Sequence, residues 1–228
     1  PEDLNATCAE LDKNRLQIHV HSIGDGATSI TLDAFAHALK VNGKRDSRNL
    51  ITHLQLVAPD DIIRFKRLGV VAATQPFWFM KDDYYYNIQV PYLGQERADA
   101  EYPMGSFFKA GVMVTSSSDY SVTIPCNPLV AIQTGMTRSR PETTDPKEVL
   151  WPAEKATLDQ MIASFTINGA YANFLERSTG SVEVGKMADL VILARNLFNI
   201  PAIEISKAKV LLTLFEGKEV FKDQSFAY

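Results

Sequence analysis

The 228-residue chain is poor in the residue types that would assign it quickly to a class. It has two cysteines, Cys8 and Cys126, and neither sits in a CxxC or Cys/His spacing. That excludes a disulfide scaffold or a cysteine-based zinc module. The pair reads as free thiols of a reducing, cytoplasmic setting, with a single disulfide as the alternative. No window is long and apolar enough to span a bilayer. The start, Pro1-Glu-Asp-Leu, is not the basic-then-apolar pattern of a signal peptide. A net charge of -4 gives no electrostatic footprint for nucleic acid. The first residue is not Met, so the chain reads as a processed product or an excised piece.

Several chemical signatures are also missing. There is no GxSxG elbow around Ser116-Ser-Ser118, which argues against a serine hydrolase triad. Gly180-Ser-Val-Glu-Val-Gly-Lys186 matches the first part of a phosphate loop. Met187 then stands where Ser or Thr is needed, and no strand leads into the segment, so the phosphate-loop reading is rejected. Gly24-Asp25-Gly26 is too short to be more than a turn, with Asp25 placed to cap the following helix.

What the chain does have, at 46% hydrophobic and 22% charged, is an ordinary globular composition with alternating elements. Residues 2–13 pattern as a helix. Leu16, Ile18 and Val20 alternate with Gln17, His19 and His21, then Gly24 breaks the run, as a strand running into a helix over 27–41 would. Asn49-Leu-Ile-Thr-His53 is a second strand, and Pro59-Asp-Asp opens a helix closed by Gly69. Val70 to Thr74 is a third strand. An aromatic segment, 75–102, and a helix over 104–110 lead to a fourth strand from Val112 into Asp119. This alternation implies a parallel sheet, as half of a βα barrel or as an open doubly wound sheet. Pro125 to Pro152 reads as a long loop, and a helix is predicted from Thr157 to Asn173. Leu190–Leu193, Lys209–Phe215 and Glu219–Phe221 read as strands of a small β appendage.

His21, His53 and Asp119 each end a predicted strand. Two imidazoles and a carboxylate suit a divalent ion such as zinc with a position left for water. Asp119 has a second role available, carrying a proton during hydrolysis. His19 projects to the same face as His21 and is a candidate outer partner. His37 reads as a packed helix residue. The aromatics from Trp78 to Tyr86 either line an apolar substrate pocket or pack on the rim.

Several segments carry a resemblance to a known family: His21-Ser-Ile-Gly-Asp25, Thr52-His53-Leu-Gln, Ala73-Thr-Gln-Pro76, Gly94-Gln-Glu-Arg97, Ser118-Asp119-Tyr, Thr166-Ile-Asn-Gly-Ala-Tyr and Gly180 to Leu193. Together they resemble the amidohydrolase superfamily. The closest branch is the one with N-substituted formamide deformylases and metal-dependent hydrolases, some of whose relatives are called exoenzyme regulatory proteins. The resemblance implies a distorted β/α barrel with a small β-sandwich domain. His21 would end strand five, His53 strand six and Asp119 strand eight. The two histidines would bind the metal, and the carboxylate would be both ligand and proton shuttle. His19 lies outside the family pattern, and Trp78 and Arg97 are the substrate-side candidates.

The family's strand-one His-x-His pair and its bridging carboxylated lysine have no counterpart here. Leu50-Ile-Thr-His stands where Arg-Ile-Glu-His is frequent. The resemblance therefore implies the C-terminal half of an amidohydrolase, with residues 1–178 as a partial barrel and 179–228 as sandwich strands. The implied activity is hydrolysis of an amide or N-formyl bond in a small molecule, or else an inactive regulatory or binding scaffold. The implied partner is a second copy of the chain or the missing N-terminal half.

Overall fold

A computed structural model describes residues 1–124 and 126–226. The N-terminal part alternates as α1 (Glu2–Lys13), β1 (His19–Ser22), α2 (Asp25–Asn42), β2 (Leu50–His53), α3 (Pro59–Leu68) and β3 (Val71–Thr74). Short helices follow: α4 (Val90–Leu93), α5 (Gln95–Ala98) and α6 (Met104–Lys109) lead to β4 (Val114–Ser116). The four strands are parallel in the order β1-β2-β3-β4. The order never reverses, whereas a doubly wound sheet needs a reversal, so that alternative is not what the chain forms.

The sequence explains the elements locally. In α3, Pro59 fits the first turn, and Asp60 and Asp61 face the positive helix end. Gly69 ends the helix at φ +66, a conformation costly to any residue with a Cβ. The strands β2 and β3 are buried along their whole length, which is why they read as continuous apolar runs. Ile51, Ala72 and Val114 share one row of the register and pack outward with Leu32, Phe35, Phe65 and Phe107. His21, Thr52, Ala73 and Thr115 share the neighbouring row on the opposite face. There, Ala172 packs against Leu50, Val71 and Ala73, closing the N-terminal end of that face.

After β4 come α7 (Pro128–Thr137), α8 (Leu158–Phe165) and α9 (Ile167–Ala172). The predicted loop over 125–152 is therefore corrected: Asn127 caps a ten-residue helix with Pro128 at its start, while Pro125 lies outside the described residues. The single helix predicted over 157–173 is two, broken at Thr166 (φ -122, ψ -99). The Asn168 amide donates to the Val114 carbonyl at 2.9 Å and covers the outer edge of β4. The strands β5 (Leu190–Leu193), β6 (Val210–Phe215) and β7 (Lys218–Lys222) form a separate antiparallel sheet. The β6–β7 turn has φ +50 at Glu216 and +77 at Gly217, the left-handed pair a two-residue hairpin requires. Asp189 accepts from the Glu216 N–H and from the Thr179 hydroxyl, fixing that turn to the start of β5. Lys186 is held by Ser181 and Glu183, a structural use that agrees with rejecting the phosphate loop.

A buried polar cluster fastens the long 75–102 segment. Arg138 is fully buried and donates to the carbonyls of Leu150, Tyr102 and Glu101 at 3.0, 3.0 and 2.8 Å, with its guanidinium over the Phe79 ring. Removing it strands three buried acceptors, each costing about 1–3 kcal/mol. Urea denaturation of Arg138→Met is expected to show a loss of about 3 kcal/mol or more.

Glu101 is also fully buried; Gln55 donates to one carboxyl oxygen at 2.8 Å and the other oxygen has no partner among the described residues. Burial pushes this carboxyl up to about 7 from the ordinary 4.5, reinforced by Asp82 and Asp99 and opposed by Gln55 and Arg138. A raised carboxyl binds its proton more tightly in the folded state, so its contribution to stability is complete below pH 4.5 and falls as pH rises to about 7. Glu101→Gln is therefore expected to flatten the stability–pH curve over that window. Above it, the variant should be more stable than the wild type by up to about 3 kcal/mol, read by thermal or urea unfolding.

Candidate metal centre

His21 and His53 meet at the C-terminal ends of β1 and β2, the end at which α/β barrels carry their chemistry. His21 Nδ1 lies 2.8 Å from His53 Nε2. Strict alternation would not bring this about, because His53 follows Thr52 and would point to the opposite face. The backbone resolves the conflict: His53 has φ +74 and Leu54 φ +55, both left-handed. Non-glycine residues adopt that region at a cost, and such costs collect at functional sites. The conformation is held by Leu54, whose side chain is buried and whose N–H donates to the Ser22 carbonyl at 2.9 Å.

Gln75, the residue after β3, fixes the other side of the His53 ring. Its Nε2 donates to Thr52 Oγ1 at 3.1 Å and to Ser117 Oγ at 2.9 Å. Its Oε1 is therefore the acceptor for His53 Nδ1 at 3.1 Å. That places the proton on Nδ1 and turns the Nε2 lone pair toward His21, the arrangement of a metal-ligating histidine with an outer partner. Trp78 stacks on His53 at 5.5 Å and 25°, and its Nε1 donates to Thr123 Oγ1 at 2.9 Å, linking the loops after β3 and β4. His19 stacks on His21 at 5.9 Å, and its pKa is lowered by burial and then by the two neighbouring imidazoles.

The two nitrogens share a hydrogen bond, His21 Nδ1–H donating to the His53 Nε2 lone pair, and an ion would take the place of the shared proton. Bonds of about 2.0–2.1 Å would separate them by roughly 3.4 Å, so the pair fits a zinc-type ion with a small opening of the contact. Asp119 is not brought into the cluster. Strand β4 ends at Ser116, so the predicted strand running to Asp119 is too long by three residues. Asp119 sits beyond it, half-buried, at φ +54. Among the described residues no group of three His, Cys, Asp or Glu side chains is assembled for a metal.

The remaining candidates are placed as follows. Arg97 lies outside the histidine cluster and pairs with Asp25 at 3.1 Å, joining α5 to the first turn of α2. Asp25 does not cap that helix: Gly24 is the cap residue, and the Asp25 carboxylate accepts from the Gly26 N–H instead. His37 is exposed on α2 rather than packed, because it lies between the faces carrying Ala34, Phe35 and Ala38. In the aromatic segment Phe77, Phe79 and Tyr85 are buried while Tyr84, Tyr86 and Tyr92 are exposed. A cavity of about 340 Å³ lined by Trp78, Met80, Val122 and Ile124 lies between the loops after β3 and β4, and no histidine lines it. Cys8 is buried and Cys126 exposed, and both are free. Gln75 was visible in the sequence only as part of Ala73-Thr-Gln-Pro, with no role attached. The signal that could have found it is its position one residue past a strand end. No helix among the described residues is long and apolar enough to cross a membrane.

Replacing Gln75 by Leu should free the His53 ring to change tautomer and leave Nδ1 without its acceptor. Nitrogen NMR of the imidazole is expected to show Nδ1 protonation dominating in the wild type and a mixture in Gln75→Leu. Stability is expected to fall by about 1–2 kcal/mol.

The comparisons agree with this picture. The model of the amidohydrolase family matches residues 1–221. The chain is 34% identical over 223 residues to Protein LONG AFTER FAR-RED 3 of Arabidopsis thaliana, covering 97% of this chain and 37% of that protein. It is 26% identical to the N-substituted formamide deformylase of Arthrobacter pascens, covering 89% of this chain and 36% of the relative. The chain thus spans little more than a third of these relatives' length. Among solved structures, an uncharacterized metal-dependent hydrolase from Pyrococcus horikoshii superposes with a TM-score of 0.70 at 22% identity, over 88% of this chain and 38% of that one. On the family match, with the fold likeness to metal-dependent hydrolases beside it, the chain belongs to the amidohydrolase family.

Proposed function

We propose that the protein is a metal-dependent hydrolase of non-peptide C–N bonds, acting on an amide or N-formyl group of a small molecule. The observation that carries this is the His21–His53 pair, with the two ring nitrogens 2.8 Å apart at the strand ends and Gln75 behind His53. His21 and His53 would hold the metal, zinc being the ion their chemistry suits. When bound, such an ion supplies a Lewis acid for the scissile carbonyl. Asp119, which stands apart from the pair in this structure, would take the proton of the attacking water and return it to the leaving nitrogen once the whole assembly brings it to the site. Trp78 shields the site and offers an apolar wall to the substrate's substituent.

Three supports stand beside the pair: the family membership, the likeness to the formamide deformylase, and a zinc-complexed structure of the hydrolase TrzN from Arthrobacter aurescens with a TM-score of 0.61. The last, at 15% identity, speaks for the fold alone.

In this reading the four parallel strands are the second half of a barrel, and β5–β7 are strands of a small sandwich. The activity belongs to the whole assembly. Strand β1 has no partner among the described residues on its outer edge, where the backbone groups of His19 and His21 lie. An open edge of this kind favours association. The chain therefore pairs with a second copy or with an N-terminal half, and sedimentation velocity should show self-association. A compact monomer that stays monomeric at high concentration would count against it.

The activity test is release of amine and carboxylate from a panel of N-formyl and simple amide compounds with zinc present, using the chain together with the upstream half of a relative. Asp119→Asn is expected to lower kcat by roughly 10²–10⁴-fold while zinc stays bound. An unchanged rate in that variant would remove Asp119 from the mechanism.

A further inference from the structure

We propose that the cavity beneath the N-terminal ends of β2 and β3 binds a phosphate-bearing small molecule. This site lies at the opposite end of the strands from the histidine pair and does not depend on the reading of that pair. The cavity has a volume of about 390 Å³. It is walled by the C-terminal ends of α2 and α3 and by the polar segment Gly43 to Asn49.

Charge is the first argument. The lining holds five cations (Lys44, Arg45, Arg48, Lys66, Arg67) against Asp12 and Asp46, and with Glu176, which pairs with Arg48, the local excess is two positive charges. The whole chain is at -4, so this excess runs against the overall balance. Concave walls of one sign focus the field and concentrate counter-ions.

Two of the five cations are already neutralised. Arg45 binds Asp12 at 2.6 Å, and Arg48 binds Asp46 at 2.9 Å and Glu176 at 2.8 Å while its guanidinium lies over the Tyr171 ring. Lys44, Lys66 and Arg67 make no ion pair among the described residues.

A donor on a largely buried side chain is the second argument. Asn49 is 6% exposed, and its Oδ1 accepts from the Ile18 N–H at 2.9 Å. Its Nδ2 group donates to nothing among the described residues, and the side chain lines the cavity beside Ser47, whose hydroxyl is equally unengaged. The Lys44 ammonium, the Arg67 fork, the Asn49 amide and the Ser47 hydroxyl make a donor set suited to a phosphate group, and Lys66, whose ammonium lies over Gly111, adds charge to the wall. Phe35, Ala38, Leu39 and Val70 give the cavity an apolar side for the rest of the molecule.

A plainer account is that Lys66 and Arg67 only offset the negative end of α3. The last carbonyls there are already served, by the Gly69 N–H to Lys66 and the Val70 N–H to Phe65. That account also leaves Lys44 and the Ser47 hydroxyl without a purpose.

The test is equilibrium dialysis of the full chain against inorganic phosphate and phenyl phosphate. We expect saturable binding near one per chain, tighter for phenyl phosphate. The exposed double variant Lys66→Gln/Arg67→Gln, checked for an unchanged circular dichroism spectrum, should bind at least about tenfold more weakly. His53→Ala should bind both probes as the wild type does, which separates this site from the histidine pair. Absence of saturable binding at millimolar probe, or equal binding by the double variant, would overturn the proposal.

Discussion

The candidate site depends on one constraint, the parallel register that sets His21 opposite Thr52 and Ser22 opposite His53. In that register alone His53 would face the helices. The left-handed turn at His53 and Leu54 swings its ring to the inner face, where His21 already points. Burial of Leu54 and its hydrogen bond to Ser22 hold the turn in place. A slip of one residue between β1 and β2 would carry both His19 and His21 to the other face and dismantle the pair.

The rest of the molecule supports this point from three directions. Behind the pair, Gln75 connects His53 to Thr52 and Ser117, so the ends of β2, β3 and β4 share one hydrogen-bonded line. Above it, Trp78 covers His53 and ties to Thr123, while Arg138 anchors the segment from Phe79 to Tyr102 through backbone carbonyls. Below it, Arg48 and Gln17 bind the end of α9 to the beginnings of β1 and β2: Gln17 donates to the carbonyls of Arg48 and Ala172, and Arg48 to that of Tyr171. The inner face is thus closed at its foot and open at its head.

Much of this was legible in the sequence wherever a local rule governs. Alternation marked β1, buried apolar runs marked β2 and β3, and Pro59 and Gly69 bounded α3. Two readings failed because a stronger signal masked a weaker one. The proline-rich stretch before Trp151 hid α7, although Asn127-Pro128 is itself a helix start. The polar run Ser116 to Asp119 was taken into β4, although three consecutive serines have little preference for a strand interior. What could not be read were the long-range polar ties. Arg138 reaches carbonyls 12, 36 and 37 residues away, and nothing in its neighbours shows that its charge is buried. The family motifs located His21 and His53 as a pair. The structure adds how they meet, and it leaves Asp119 apart from them.

The most direct test of the account is zinc binding by the His21→Ala, His53→Ala and double variants, measured calorimetrically as a double-mutant cycle. If the two imidazoles share one ion, each single substitution should abolish most of the zinc affinity, and the double variant should lose little more. Two independent, additive losses, or zinc affinity untouched by either change, would contradict a shared centre at the head of β1 and β2.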